Sequence, residues 1–355
     1  MYKGYGEVID SRAAADNTRR DFERELTRDY GLYGIDTGHH DLNIAINGFT
    51  GGKVYTFGGR SGTGKSAFLL PMIAAGSNKS ADIQGEYLMC SWELNERNIS
   101  NRLISYYTGI PNVLLTQGAK LLTDAQKNKV REAIDKIAEI PIVYQLMSLD
   151  ESQIAGIINE WYEDVMEKHK NSSKKVYPIV FIDYIGLAVF EGAGLRTYAI
   201  GSFMLKLKQL ANKLNISIVV LAQLNRAVDK ENRPPTAADF QDSASLEQTS
   251  DCLIALHRPE MLDTLCSTED PASGEMIPNK GKTLMRIIKN RMGFGGDFLL
   301  NSDLRYYRYW SLNHEFGFDY NAQYKEPRFW ARLYGLQLPD NFEKKTQEKP
   351  PELPF

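Results

Sequence analysis

The sequence predicts an α/β fold: a mostly parallel twisted sheet with helices on both faces, ending in a C-terminal β-hairpin. Three observations predict it. Runs that are apolar without alternation recur along the chain, as in VYTF (54–57), EYLMCSW (86–92), YPIVFID (177–183) and ISIVVLAQ (216–223), and strands buried on both faces read this way. Stretches with helical apolar spacing lie between them. A glycine-rich segment, GGRSGTGKS (58–66), follows the first run directly.

Taken in order, residues 11–30 suit a helix with a narrow stripe of Ala15, Phe22, Leu26 and Tyr30. So thin a stripe cannot hold a helix alone, and it should dock on the body or on a neighbouring subunit. GLYGIDTG breaks the pattern and marks a linker. A helix from Lys65 to about Ala75 follows the glycine loop, and another carries Ile99, Leu103, Tyr106 and Tyr107. Helices near 124–139 (Val130, Ile134, Ile137) and 150–168 (Ile154, Ile157, Ile158, Trp161, Val165) precede YPIVFID. A helix with Ile200, Phe203, Met204, Leu207, Leu210 and Leu214 leads to ISIVVLAQ. DCLIALH (251–257) and TLMRIIK (283–289) are further strands, and FLL with YYRYWSL forms the terminal hairpin. Residues 229–246 and 258–282 are polar and rich in Pro and Asp, and read as surface loops. The organisation is therefore an N-terminal linker helix or docking segment (1–33), a body (34–320) and a C-terminal extension with a disordered tail (321–355).

Composition sets limits. With 355 residues, 43% of them hydrophobic, the chain can bury a large core. Its formal net charge of −3 means that any nucleic-acid contact must come from a local basic surface. Cys90, Cys252 and Cys266 form no C-x-x-C pair, which argues against a zinc ribbon or a disulfide framework. No stretch is long enough to span a bilayer and no signal region opens the chain. The expectation is a cytoplasmic protein, in the host's cytoplasm if the source is viral, with no membrane partner.

Gly59, Arg60, Ser61, Gly62, Thr63, Gly64, Lys65 and Ser66 spell G-x-x-x-x-G-K-S, the Walker A pattern, followed by Ala67. Glycines let backbone N–H groups wrap a phosphate, and the helix starting near Lys65 adds its positive end. Lys65 would reach the β- and γ-phosphates of ATP and the Ser66 hydroxyl would ligate Mg²⁺. A glycine-rich turn with an accidental lysine is the plain alternative; the strand before and the helix after tell against it.

Asp183 ends an apolar strand, where a carboxylate at the sheet's carboxyl edge can hold the Mg²⁺ shell. Glu93 follows LMCSW beside the same edge. Two readings of it stand: a base that polarises water, or a charge that complements a helix start. Gln223 ends ISIVVLAQ, where an amide can sense the γ-phosphate or simply face solvent.

The ordered segments GIDTGHHDLNIAINGFTGGKVYTFGGRSGTGKSAF, SWELNE, IVFIDYIGL, LAQLNR, ADFQDSASLEQTSDCLIALHR and IIKNRMGF resemble the RecA-like motor domain of DnaB-type replicative DNA helicases, from about residue 34 to 312. The resemblance implies a hexameric, ATP-hydrolysing P-loop enzyme that uses Mg²⁺, translocates on single-stranded DNA and unwinds duplex during replication. It makes Glu93 the catalytic base, Asp183 the Walker B carboxylate and Gln223 the γ-phosphate sensor. Lys289 and Arg291, in KNR, match the pair that such rings insert into the neighbouring subunit's ATP site. Channel loops would be 190–198 and 229–247, with Arg196, Arg226, Lys230, Arg233, Gln241, Asp242 and Ala244 as candidate DNA contacts.

Two departures from the family pattern stand out. Gln241 replaces a common arginine and Ala244 a common glycine, which alters the expected DNA contacts. Only about 33 residues precede the motor, too few for the family's helical N-terminal domain, so a phage or plasmid form is expected. Primase, polymerase or a helicase loader are further expected partners. The competing readings are a RecA- or RadA-like recombinase and a nucleotide-gated loader or scaffold with weak turnover.

Overall fold

A computed structural model of the chain describes residues 10–75, 83–189, 196–225, 233–241, 243–261 and 267–337. The chain divides into two compact units, Tyr33–Phe318, and Met1–Leu32 with Asp319–Phe355.

The larger unit is built on a nine-stranded sheet. Its strands are β1 (Lys53–Gly59), β2 (Ile83–Ser91), β3 (Ile142–Gln145), β4 (Lys175–Asp183), β5 (Ser217–Gln223), β6 (Cys252–His257), β9 (Lys282–Asn290), β10 (Gly296–Asp303) and β11 (Arg308–Ser311), in the order β11-β10-β9-β6-β1-β5-β4-β2-β3. From β6 through β3 the pairing is parallel; β9, β10 and β11 close the other side antiparallel. A separate two-stranded ribbon pairs β7 (Ser267–Glu269) with β8 (Met276–Pro278).

Each face of the sheet carries its own core. On one face β1 contributes Tyr55 and Phe57, packed with α2 (His40–Ile46), α3 (Lys65–Ala75) and α4 (Glu96–Thr108). On the other, Val54, Val180, Ile182 and Val220 pack with α7 (Glu151–Lys168), α8 (Arg196–Leu214) and Leu246 of α9 (Ser243–Thr249). Alternate residues of one strand thus feed two cores, the period-2 geometry of a pleated strand. Short α5 (Asn112–Thr116) and the surface helix α6 (Asp124–Ala138) also belong to this unit.

Helix starts follow from local chemistry. Asn95 caps α4 by accepting from the Asn98 N–H at 2.9 Å. Thr123 and Gln126 form a capping box on α6, and Asp150 and Gln153 form one on α7.

Several expectations needed correction. The 258–282 segment, read as loop, holds the β7–β8 ribbon, and the region read as loop at 229–246 contains the start of α9. The edge strand β3, only four residues long, and α2 lay outside the reading. Ile134, counted in an apolar spacing, is exposed.

In the smaller unit, α1 (Ser11–Thr27) is capped by Asp10, whose Oδ1 accepts from the Ala13 N–H at 2.8 Å. No residue of α1 is buried; Phe22 is 59% and Leu26 64% exposed. The other segment of this unit carries α10 (Asn321–Tyr324) and α11 (Pro327–Leu333), where the Trp330 indole donates to the Tyr324 carbonyl at 2.6 Å. The tail expected to be disordered lies outside the described residues. No helix among the described residues is long and apolar enough to cross a membrane.

Candidate active site

Strand register collects the chemistry. Gly59 pairs with Gln223, and Ser91 with Asp183. The ends of β1, β2, β4 and β5 therefore share the carboxyl edge of the sheet, beside the point where the order reverses around β1. Open α/β sheets bind ligands there.

The glycine loop is a close-fitted turn. Thr63 donates through its N–H (3.2 Å) and hydroxyl (2.7 Å) to the Arg60 carbonyl, and the Phe68 N–H to Gly64 O (2.9 Å) starts α3. Gly64 has φ +96°, and a Cβ there would lie 2.1 Å from the Tyr309 hydroxyl oxygen. That hydroxyl donates to Gly64 O at 3.1 Å. Behind it, the His39 ring stacks on Phe68 at 3.8 Å and bonds Phe68 O at 2.8 Å. Burial pulls the His39 pKa down to about 4, so the ring is neutral at physiological pH.

Lys65 folds back over the loop. Its ammonium donates to Gly59 O at 2.9 Å and Arg60 O at 3.1 Å. Desolvation lowers its pKa, opposed by the charges of Asp183 and Glu93. The folded-back lysine occupies the Gly59 and Arg60 carbonyls at the mouth of the loop.

Asp183 is 1% exposed, and neither carboxylate oxygen has a hydrogen-bond partner. Burial raises its pKa to about 6; the Ser66 hydroxyl pulls it back down from close by, short of hydrogen-bond geometry. Glu93 pushes it up further, and Lys65 and Arg102 pull it down. A buried carboxylate beside a hydroxyl, with both oxygens unpartnered, fits a hard divalent cation.

Glu93 is exposed, just beyond β2, where the Trp92 N–H donates to Asp183 O at 2.9 Å. The N-cap of α4 is supplied by Asn95 and its first-turn acid by Glu96, so the helix start does not use Glu93. Its charge acts on Lys65 and Asp183 instead. Gln223 is half-buried; its carbonyl accepts from the Gln241 N–H at 3.0 Å, which stitches the 239–241 segment to the end of β5.

Lys289 and Arg291 lie elsewhere. Strand β9 runs antiparallel to β6, so Asn290 pairs with Cys252 at the amino edge of the sheet. Arg291 reaches Gln248 O at 3.2 Å and Asp251 at 3.7 Å, and Lys289 donates to Glu247 O. The neighbouring Asp251 binds the Val54 N–H, five residues before Gly59. At about 3.3 Å per residue that is roughly 17 Å from the phosphate loop. Within one chain the two cations and the loop are not brought together.

Of the residues read as DNA contacts, Arg226, Lys230 and Asp242 lie outside the described residues, and the side chain of Arg196 is likewise not described. Arg233 grips Asp239 with two bonds of 2.6 and 2.9 Å, which holds the Asp239 pKa down at about 2. Gln241 and Ala244 are exposed.

Three residues escaped the sequence reading: Tyr309, Arg102 and Arg258. Arg258 donates to Gly62 O at 3.1 Å and pairs with Glu260, which accepts the Gly281 N–H at 2.9 Å. A signal for Arg258 was present, since it follows β6 at the carboxyl edge. Tyr309 and Arg102 gave none, because long-range packing places them.

The chain matches the DnaB-like helicase C-terminal domain family over residues 34–311. It is 26% identical over 314 residues to the replicative DNA helicase DnaB of Rickettsia bellii, covering 81% of this chain and 60% of that protein's length. Its fold is similar to a solved DnaB-like replicative helicase, studied with its interactions with primase (22% identity, TM-score 0.70, 86% of this chain and 68% of that one). A solved ATPase domain aligns with a TM-score of 0.71 at 23% identity, over 86% of this chain and all of its own. The fold is RecA-like, and the chain belongs to the DnaB-like helicase C-terminal domain family.

Proposed function

We propose that the chain is the motor of an ATP-dependent, ring-forming DNA helicase that translocates on single-stranded DNA and unwinds duplex in replication. The observation that carries the reading is the opposition of two edges. The phosphate loop, Asp183, Glu93 and Gln223 share one edge, whereas Lys289 and Arg291 project from the other, out of reach of their own loop. Copies arranged head to tail would complete one another's sites, and such heterologous contacts form a ring where the rotation between copies closes.

The chemistry assigned to each residue follows from its setting. Loop N–H groups and the α3 N-terminus bind the phosphates of ATP. Lys65 leaves the Gly59 and Arg60 carbonyls for the β- and γ-phosphates. Ser66 and Asp183 are the residues that would hold Mg²⁺, which when bound neutralises charge on the phosphate oxygens. Glu93 accepts the proton of the attacking water on its carboxylate. Gln223 senses the γ-phosphate and passes its position to the 239–241 segment through the Gln241 N–H bond. Arg291 and Lys289 of the neighbouring copy stabilise charge on the phosphoryl group in transfer. Arg196, Arg226, Lys230 and the segment around Gln241, Asp242 and Ala244 are proposed to track DNA phosphates without reading bases. Primase, polymerase or a helicase loader are proposed as further partners.

The test is strand displacement on a forked duplex with ATP and Mg²⁺. The chain should unwind the fork, with hydrolysis stimulated by single-stranded DNA, and Lys65→Ala should do neither. Hydrolysis indifferent to DNA, with no displacement at any protein concentration, would reject the motor reading.

A further inference from the structure

Asp251 sits between α9 and β6 with its side chain 4% exposed, at the edge where β9 delivers Arg291. Its two oxygens are used differently. Oδ2 accepts the Val54 N–H at 2.8 Å and the Lys208 ammonium at 2.6 Å. Lys208 also donates to Gly52 O at 2.9 Å, so the carboxylate is held from both β1 and α8. Oδ1 faces the Arg291 guanidinium at 3.7 Å. The Asp251 carbonyl accepts the Arg291 N–H at 2.9 Å, and the Arg291 side chain also bonds Gln248 O.

Lys208 already compensates the buried charge, so Arg291 is not needed for that. At 51% exposure a 3.7 Å pair contributes little to folding. What the pair does is limit the arginine's rotamers before anything binds it. An arginine that swings freely must lose that freedom each time it meets a phosphate. One held loosely by a fixed carboxylate arrives oriented, and the rest of its guanidinium stays open.

We infer that Asp251 is a positioning residue for Arg291: the carboxylate, fixed by Val54 and Lys208, presets the guanidinium for the nucleotide phosphates of a neighbouring copy. The inference rests on the reading of Arg291 as a group supplied in trans.

The test is a double-mutant cycle on DNA-stimulated ATP turnover, with Asp251→Asn, Arg291→Ala and the pair, using radiolabelled ATP to follow slow turnover. Asparagine keeps an oxygen for the Val54 N–H and removes the charge that orients Arg291. Asp251→Asn should lower kcat about 3- to 10-fold with KM for ATP within about twofold, the size expected for one immobilised side chain. On the Arg291→Ala background it should change kcat by less than about twofold, because the group it acts through is gone. A purely structural Asp251 would lower kcat by the same factor on both backgrounds, and that result overturns the proposal; so does an unchanged or raised kcat in the single variant. If Arg291→Ala itself turns over ATP normally, the trans reading falls first and takes the proposal with it. Should Asp251→Asn fail to fold, Lys208→Met with Asp251→Asn removes both charges together and enters the same cycle.

Discussion

Asp183→Asn should make the nucleotide-free protein more stable while it destroys metal-dependent turnover. The wild-type carboxylate is buried, unpartnered and displaced from the ordinary 3.8 to about 6. The folded state therefore binds this proton more tightly than the unfolded chain. Stability attributable to the group falls as pH rises from about 4 to about 6, and the whole penalty is present above that window. A displacement of this size corresponds to about 3 kcal/mol as an upper figure. The amide still lacks a partner, so the gain from substitution is the charge contribution alone, about 2–3 kcal/mol. For a unit of roughly 300 residues, with an unfolding entropy near 2.1 cal/mol/K per residue, that raises Tm by about 3–5 °C. The assay is thermal unfolding of both proteins at pH 5 and pH 8, without nucleotide and then with ADP and Mg²⁺. The variant's advantage should be larger at pH 8, and Mg²⁺ should stabilise the wild type more than the variant. A variant less stable at pH 8, or an advantage that does not change with pH, would show that Asp183 is not an uncompensated charge.

Other outcomes follow from the same geometry. Glu93→Gln should keep nucleotide binding and lose turnover by about two orders of magnitude or more, the usual weight of a general base; binding is read with a fluorescent ATP analogue, and turnover within a few-fold of wild type would leave Glu93 a surface charge. Gly64→Ala should destabilise by about 2–4 kcal/mol through its left-handed backbone and the clash with Tyr309, and adding Tyr309→Phe, which removes the clashing oxygen, should recover part of that in urea unfolding. Deleting residues 11–30, whose apolar stripe is exposed, should weaken assembly in light scattering while the melting of Tyr33–Phe318 stays within about 2 °C, since surface changes cost little.

The core of the fold was legible because buried parallel strands have a plain signature. Continuous runs such as YPIVFID and ISIVVLAQ can only be buried on both faces, and the helices between them carry strong periodicity. The short edge strand Ile142–Gln145 was not legible: partly exposed and four residues long, it owes its strand character to pairing with Tyr87–Cys90. The β7–β8 ribbon hid in polar sequence for the same reason. Among the site residues, those set by chain order were readable, since a residue that ends a parallel strand must reach the carboxyl edge. Tyr309 lies 245 residues from the glycine whose carbonyl it holds, and no local pattern announces such a contact. Asp251 could not be singled out either, because its role depends on three partners, Val54, Lys208 and Arg291, that only the folded sheet assembles.

Each nucleotide site is proposed to be completed across a contact between copies. Particle imaging of the protein with a non-hydrolysable ATP analogue and single-stranded DNA tests it most directly. The expected result is rings of six copies, closed or split, with Arg291 of each copy at the phosphate loop of the next and the strand through the centre. A helical filament, or isolated copies with nucleotide bound and Arg291 facing solvent, would contradict it.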